Sequence, residues 1–397
     1  MSQSSIDLTA ENFQAPKSLD RIQMVALVVG IVGVAAAVFG YTQNPDQFFR
    51  SYLKAYVFWL SIPLGCLGFL MLQHLSQGAW GLIPRRLNEA AGATLLLLAP
   101  LFIPIWFGLE NIFAWARPEV MAENHLIAKK AWYLDPEFFL LRVVIYFAVW
   151  LLLTFALRRQ SNRQDKGATK QQIHTMRNIS GPGLVVFVAL ATFVAVDFLM
   201  SIDAEYYSSI YGAYFLISCA IAGMAFLILM ESHLVQREPM APVLTKRIFH
   251  DQGKLLLAFT MVWAYFCVSQ FLITWQGNLP EEVKWYEHRF AGGWDYVAVA
   301  LALTHFALPF LLLLSRPLKR NNRTLSVVAV LLLVVHWMDY QWQVAPHFHH
   351  HATVSWIDFA TMAGIGGLWL WFFVLLFKRR PILSYNDPYL PEALDHA

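Results

Sequence analysis

Charged residues and cysteines are both scarce in this chain. Aspartate, glutamate, lysine and arginine make up 14% of its 397 residues, against about 25% in a soluble domain. The formal net charge of +3 is close to neutral for this length and gives no reason to expect nucleic acid as a partner. The three cysteines lie in separate apolar runs, and no CxxC or CxxCH motif occurs. Iron–sulfur clusters, c-type haem and structural zinc are therefore not expected, and no motif predicts a bound cofactor.

Apolar residues, in contrast, are abundant and concentrated in long runs. They make up 58% of the chain, and the mean hydropathy is +0.48. The runs are about 17 to 24 residues long, which as helix is enough to cross about 30 Å of hydrocarbon. We therefore predict an all-α polytopic membrane protein that is surrounded by lipids. Ten transmembrane helices are predicted, at about residues 22–40, 52–75, 92–112, 138–157, 182–201, 210–231, 255–275, 295–315, 325–343 and 356–377.

Lysine and arginine are distributed unevenly between the predicted loops. The two tails and the loops after spans 2, 4, 6 and 8 hold 21 of them, whereas the other five loops hold 6. By the positive-inside rule, this distribution predicts that both termini are cytoplasmic. The first 20 residues lack the basic start and cleavage site of a signal peptide. Residues 1–21 and 378–397 are therefore predicted to be cytoplasmic tails.

Polar residues recur in the same order in two parts of the chain. The matching positions are His74 and His233, Arg86 and Arg247, Trp132 and Trp285, and Asp197 and Asp339. This repeat predicts four-helix bundles at residues 52–201 and 210–343. The spans at residues 22–40 and 356–377 are predicted to flank them. Because four spans, an even number, separate the copies, the bundles are predicted to be parallel and related by an axis along the membrane normal.

Ionisable residues within or beside the predicted spans are costly and tend to face the interior of a bundle. Their depths, at about 1.5 Å per helical residue, form a ladder from the cytoplasmic span ends through midplane histidines to outer carboxylates. Imidazole titrates near neutral pH, so this ladder is suited to relaying protons. Alternatively, each is a hydrogen-bonded core residue that holds helices together. The candidate proton-pathway residues are His74, Glu89, Asp197, Asp203, Glu205, Glu231, His233, His250, Asp251, His305, His336 and Asp339.

The two copies differ at the midplane. His336 precedes Asp339, whereas the place before Asp197 that matches His336 is Val194. His305 also has no histidine counterpart in span 4. A quinone site needs an apolar slot with one or two hydrogen-bond partners for the quinone ring. A haem b with His305 and His336 as its axial ligands is the less favoured alternative. The candidate quinone-binding residues are Tyr265, His305, His336 and Asp339.

The predicted outer loops carry further polar groups. Glu110 and Arg142 approach the outer ends of spans 3 and 4 and are expected to pair. The loop at residues 277–296 mixes charge, tryptophan and glycine, which favours a docking surface or a lid. A histidine cluster between spans 9 and 10 is predicted to be solvated or to face a partner, and no metal site is predicted. Its members are His347, His349, His350 and His351.

Three segments resemble a known family of membrane subunits. They are DFLMSIDAEYYSSIYG at 197–212, WQGNLPEEVKWYEHRF at 275–290 and HWMDYQ at 336–341. Together with the ten predicted spans and two bundles, they resemble the F subunits of alternative complex III, which are integral membrane proteins of the polysulfide reductase and NrfD type. The resemblance covers nearly the whole chain apart from its tails.

The resemblance implies membership of a bacterial quinol-oxidising electron-transfer complex, respiratory or photosynthetic, in the inner (cytoplasmic) membrane. The implied partners are a sister NrfD-like subunit, iron–sulfur and c-haem subunits and, in some complexes, a terminal oxidase. For this chain it implies the roles of scaffold and proton-translocation path, with neither a redox centre nor a catalytic residue of its own. The alternatives are a second quinone-binding subunit and a stand-alone secondary transporter, which parallel repeats also fit.

Overall fold

The computed structural model describes residues 13–167 and 169–395. These residues form helices joined by turns, and no β-strand occurs among them. Shorter helices lie at Ala79–Leu82, Leu109–Ile112, Pro118–Glu123, His125–Ala128, Arg316–Lys319 and Leu390–Asp395. The helices that organise the fold are α1 (Ser18–Gln43), α2 (Pro45–Ser76), α3 (Arg85–Leu98), α4 (Pro100–Phe107), α5 (Pro136–Lys166), α6 (Lys170–Phe198), α7 (Tyr211–Leu234), α8 (Lys246–Gly277), α9 (Pro280–Arg289), α10 (Trp294–Leu314), α11 (Asn322–Val344) and α12 (Trp356–Lys378).

Most of these helices are suited to a membrane. Within residues 13–167 and 169–395, nine helices are long and apolar enough to cross one, and α3 with α4 would add a tenth if the bent pair is one span. Large apolar side chains such as Met24, Phe107 and Tyr296 are exposed on the outside of the helices, which is the side that lipid covers in a membrane protein. The prediction of a helical multi-pass membrane protein is therefore confirmed.

The third predicted span differs most from the structure. The sequence predicts a span at 92–112, whereas the helix begins at Arg85 and bends by 48° between α3 and α4. Pro100 and Pro104 lie at the bend and beyond it, and proline lacks the N–H that would continue the helical ladder. The helix begins early because Arg85 and Arg86 are buried at its start, where carboxylates neutralise them.

Capping residues explain why other helices also begin before the predicted spans. The Asn44 side chain accepts a hydrogen bond from the Gln47 backbone N–H at 3.0 Å, and Pro45 occupies the first turn of α2. Asp135 caps α5 in the same manner. Ser355 forms a capping box with Asp358 at the start of α12, which begins at the predicted residue. Such caps satisfy backbone N–H groups that have no partner within the helix.

Glycine permits the closest helix contact in the centre of the molecule, between α2 and α7. A Cβ atom on Gly65 would lie 2.0 Å from the carbonyl oxygen of Cys219, and one on Gly223 would lie 3.0 Å from the backbone nitrogen of Cys66. These backbones approach one another so closely that only glycine fits at Gly65. Small residues serve this purpose in membrane helices because they let dispersion contacts form between backbones.

The α1 helix packs along α12, and glycines again line the contact. A Cβ atom on Gly33 would lie 2.3 Å from the backbone nitrogen of Gly364, and one on Gly367 would lie 2.3 Å from that of Gly30. Gly366 accommodates the ring of Trp59 on α2. The glycines of α12 therefore allow both α1 and α2 to pack closely against it.

Helix contacts place α2 and α7 between two sets of neighbours. α2 contacts α3 and α6, and α5 contacts both of these helices. α7 contacts α8 and α11, and α10 contacts both of these. The start of α1 and the end of α12 lie on one face of the helical assembly, where Lys378 bonds to Asp20. We call this the terminal face and the opposite one the distal face.

Candidate functional site

Three polar residues of α11 are buried against its neighbouring helices. His336, Asp339 and Gln343 follow one another at spacings of three and four residues, so they share one face of the helix. They are 0%, 1% and 3% exposed, respectively. Burial at this level is unusual for polar groups unless they are paired or serve a function.

Asp339 has hydrogen-bond partners but no cation beside it. The Tyr214 hydroxyl donates to its two carboxylate oxygens at 2.7 and 2.8 Å. One turn further along α11, the Tyr211 hydroxyl donates to Gln343 Oε1 at 2.8 Å. Within the part of the chain that the structure describes, no lysine, arginine or histidine forms an ion pair with Asp339. Its carboxyl group can therefore gain or lose a proton without breaking an ion pair.

Asp339 also lies on the wall of a largely aromatic cavity of about 390 Å³. The cavity is lined by α7, α8, α9, α10 and α11, and its volume falls within the range of about 300–1,000 Å³ that is typical of small-molecule sites. A few polar groups interrupt the apolar wall, which is the pattern that orients a ligand. The residues on which this description rests are Tyr214, Trp263, Tyr286, Phe290, Gln270 and Asp339.

His305 lies next to this cavity, within a π-helical turn of α10 at Ala302–Ala307. Its ring centroid is 3.9 Å from that of Trp263 and 6.4 Å from that of His336. The His305 side chain is fully buried, and neither ring nitrogen has a hydrogen-bond partner in the described parts of the chain. An unpaired buried polar group costs about 1–3 kcal/mol, and π-turns are frequent at functional sites.

The second imidazole is anchored by the neighbouring helix α2. His336 Nε2 lies 3.1 Å from the Ser61 hydroxyl, and the ring packs against Tyr340 with centroids 4.7 Å apart. The sequence places the two histidines near the midplane and Asp339 one turn further out, and the fold brings all three onto neighbouring faces of α10 and α11. They form what we call the α11 cluster: His305, His336 and Asp339.

The corresponding carboxylate of the first copy is in a different state. Arg142 donates to Asp197 from Nε at 2.8 Å and from Nη2 at 3.0 Å, and the Tyr146 hydroxyl adds a third bond at 2.7 Å. The expected pair of Glu110 with Arg142 is therefore wrong, because Arg142 on α5 faces α6 and its buried carboxylate. Arg117 instead donates to the backbone carbonyl of Glu110 at 2.8 Å.

The predicted residues of the terminal face fall into separate groups. His74 Nδ1 lies 3.2 Å from the Ser180 hydroxyl, and His233 Nε2 lies 3.2 Å from that of Ser18. Glu89 is neutralised by Arg85, Arg86 and Arg380 in a buried network. Such an arrangement fastens the start of α3 to the C-terminal segment and holds the carboxylate as a structural ion.

Glu231 on α7 is the exception on this side of the molecule. It is fully buried, it accepts a hydrogen bond from Gln252 on α8, and no described cation pairs with it. Asp251 lies nearby on α8, at the wall of a polar cleft of about 550 Å³ that also includes Arg247 and Glu392. His250, its neighbour in sequence, is not part of this wall.

The α8 helix carries a buried polar stripe between the two faces. Gln252, Thr260, Gln270 and Thr274 are each at most 8% exposed, and Trp263 lies on the same face. The stripe from residue 252 to residue 270 is about 27 Å long at 1.5 Å per residue, nearly the thickness of the hydrocarbon core. The sequence pattern does not reveal it, because these amide and hydroxyl side chains are not ionisable and are widely spaced along the span.

The distal acidic residues lie in a loop that neighbouring segments hold in place. Glu205 accepts hydrogen bonds from Asn124 Nδ2 at 2.8 Å and from Lys284 Nζ at 3.1 Å. These bonds lower the pKa of Glu205 below its usual value, first through Asn124 and then through Lys284. Asp203 lies close to His347, with the nearest nitrogen and oxygen 4.0 Å apart.

Tyr265 does not belong to the cavity. It is 65% exposed on the outside of α8, whereas Ala264, Cys267 and Val268 line the cavity. The reason is angular, since neighbouring residues of a helix point about 100° apart. Of the four predicted quinone-binding residues, Asp339 alone lines the cavity. His305 and His336 are not among the lining residues.

Comparison with protein-family models finds no matching family, and comparison with curated proteins finds no matching sequence.

A buried lysine is the polar group that sequence reasoning missed most clearly. Lys54 on α2 donates to Asp358 at 2.6 Å and to Gln341 Oε1 at 2.6 Å. The partners lie on α12 and α11, about 300 residues away in sequence, so no local pattern predicts them. The contacts link α2 to α12 and to α11, the helix that carries His336 and Asp339.

Proposed function

We propose that this chain is a membrane subunit of a quinol-oxidising complex of the alternative complex III type, and that its second half conducts protons. The proposal places the chain in a bacterial inner membrane with the terminal face towards the cytoplasm. Electrons would pass through the iron–sulfur and c-haem subunits of the complex. The distribution of lysine and arginine and the three resembling segments support this placement.

The observation that carries the proposal is the contrast between Asp197 and Asp339. A proton path needs groups that can bind and release a proton, and an aspartate fixed by Arg142 is a poor one. Asp339 is buried without such a cation and lies in a cluster with two imidazoles. Imidazoles and carboxylates inside a membrane are the usual members of proton relays.

The proposed path begins at the polar cleft of the terminal face, beside Asp251. It continues through Glu231 and Gln252, along Thr260 of the α8 stripe, and reaches the α11 cluster. Water molecules would complete the hydrogen-bonded chain between these side chains, as they do for other buried polar groups. Release would follow on the distal side, where quinol oxidation also delivers its protons.

The finer architecture is part of the same proposal. With α3 and α4 taken as one bent span, the chain has ten spans in two parallel four-helix bundles. The contacts among α2, α3, α5 and α6, and those among α7, α8, α10 and α11, support this grouping. The proton path then lies within the second bundle, beside its contact with the first.

One test of the path is a proton-pumping assay on the whole complex in liposomes with His305→Phe. Phenylalanine fills a similar space but cannot carry a proton, so we expect quinol oxidation without proton translocation beyond scalar release. The control is His125→Phe, because His125 is exposed in a short helix on the distal face. Equal proton-to-electron ratios in the two variants would contradict the path.

A second candidate function is favoured by the aromatic cavity at Asp339, which could hold a quinone ring. Gln270, Gln343 and Asp339 are the polar groups at its wall that could bond to quinone oxygens. Labelling the complex with a photoreactive azidoquinone would modify peptides of α8 or α9 in this case. Labelling confined to a sister subunit would count against a quinone site in this chain.

A further inference from the structure

The geometry points to a binding site for a divalent transition metal, of the zinc class, on the distal face at Asp203, His288 and His347. One ligand atom from each of these residues lies within 4.8 Å of the other two. The three residues come from the loop before α7, the end of α9 and the turn after α11. This inference does not depend on the proposed function, because no step of the proton path uses the site.

The ligand set has the chemistry that such ions prefer. Two imidazoles and one carboxylate are a common three-residue set for zinc, with a fourth position left for water or another ligand. Zinc–nitrogen and zinc–oxygen distances of about 2.0–2.2 Å place tetrahedral ligand atoms about 3.3 Å apart. His347 Nδ1 and Asp203 are 4.0 Å apart, so side-chain rotations would be enough to close the site.

The fold holds the ligand-bearing segments in place without the metal. Arg289, next to His288, is buried with its guanidinium 3.5 Å from the Trp285 ring centroid. It donates to the backbone carbonyl of Trp285 at 2.7 Å and to that of Gln343 on α11. These bonds fix the end of α9 against α11, four residues before His347. Ligands on a pre-organised scaffold lose little conformational entropy on binding.

His347 offers a specific sign of a missing partner. Its Nδ1 atom is buried and forms no hydrogen bond to any described residue. A metal ion would satisfy this nitrogen and would balance the Asp203 carboxylate at the same time. Arg289 and Arg50 are the cations that face His347, and their charge weakens cation binding. The positive charges of both guanidinium groups are partly compensated by aromatic rings, because Arg289 stacks on Trp285 and Arg50 stacks on Phe348.

A metal at this position would connect three segments that surround the aromatic cavity. Trp285 and Tyr286 of α9 and Gln343 of α11 belong to the cavity wall. Binding would therefore hold α9 in its position over the distal end of the cavity. No local spacing predicts the site, because its ligands are 85 and 59 positions apart and match no metal-binding motif.

The test measures zinc binding to the full chain, purified in detergent without a histidine tag and stripped with a chelator. We expect one zinc per chain by mass spectrometry of the metal, and a rise in the thermal unfolding temperature on adding zinc. His288→Ala and Asp203→Asn should each weaken zinc affinity at least tenfold. His288 is exposed, so its substitution should leave the unfolding temperature of the metal-free protein unchanged.

The neighbouring histidines provide the matched control. His350→Ala combined with His351→Ala removes two imidazoles from the same loop but none from the proposed site, so it should retain zinc at the original affinity. Zinc binding that survives His288→Ala, or that disappears in the control, would assign the ion to the loop histidines and overturn the proposal. Failure of the unmodified chain to bind zinc would overturn it as well.

Discussion

At the scale of single residues, two aspartates at matching places in the repeat are stabilised differently. Asp197 is neutralised by Arg142, which also stacks on Tyr133 with its guanidinium carbon 3.9 Å from the ring centroid. Asp339 has only neutral partners among the described residues. Removing one partner of a buried ion pair destabilises the protein, whereas replacing a buried carboxyl that has no cation removes a proton-binding group. Substitutions at Asp197 and Asp339 therefore test different roles.

Arg142→Leu should destabilise the protein strongly. It would leave Asp197 as a buried carboxylate without its cation, a change that costs about 3–5 kcal/mol. Thermal unfolding in detergent measures the effect. Arg117→Leu is the control because, among the described residues, the Arg117 side chain bonds only to a backbone carbonyl. The double change Arg142→Leu with Asp197→Leu should recover part of the loss. A double variant less stable than Arg142→Leu alone would argue against the ion pair as the cause.

At the scale of helices, close glycine contacts and broken helices determine the arrangement. The α2–α7 contact at Gly65 sets the distance between the two halves. The π-turn of α10 shifts the register so that His305 faces Trp263 and the interior. The bend between α3 and α4 follows from proline. The close contact sets the spacing of two helices, and the π-turn and the bend place side chains where a regular helix would not.

Gly65→Ala should separate α2 from α7. The added Cβ atom would lie 2.0 Å from a backbone oxygen of α7, which cannot move without shifting the helix. Overpacking of this kind costs about 1–3 kcal/mol, so the unfolding temperature should fall. Gly277→Ala is the matched control, because a Cβ atom there has no neighbour within 4 Å. Equal unfolding temperatures for the two variants would contradict the close contact.

At the scale of the whole molecule, the sequence predicts its class better than its sites. Apolar runs of about 17–24 residues are long enough to predict membrane helices. The depths of His305 and His336 in the membrane follow from their positions along these runs. The sequence does not predict the side-chain partners. Arg142 pairs with Asp197 and not with Glu110 because of the rotation of α5 about its axis. The rotation of α8 likewise excludes Tyr265 from the cavity. Helix rotation is set by packing, which hydropathy does not encode.

The same limit applies to the three-residue metal site and to the Lys54 contacts. Their members are distant in sequence, and only the fold brings them together. Polar stripes such as that of α8 are visible once the buried face of the helix is known. The difference between the two copies at the midplane, in contrast, can be predicted from the repeat, because His305 and His336 have no histidine counterparts in the first copy. This difference points to the half of the molecule that holds the α11 cluster.

The central claim is that Asp339 exchanges protons during turnover, and Asp339→Asn in the whole complex tests it most directly. Asparagine keeps the size and accepts the Tyr214 hydrogen bond but cannot bind a proton. The measurement is the proton-to-electron ratio of quinol oxidation in liposomes, with Asp46→Asn as the control because Asp46 is an exposed residue bonded to Asn111. The account predicts that only scalar proton release remains in Asp339→Asn. An unchanged ratio at normal turnover would contradict it.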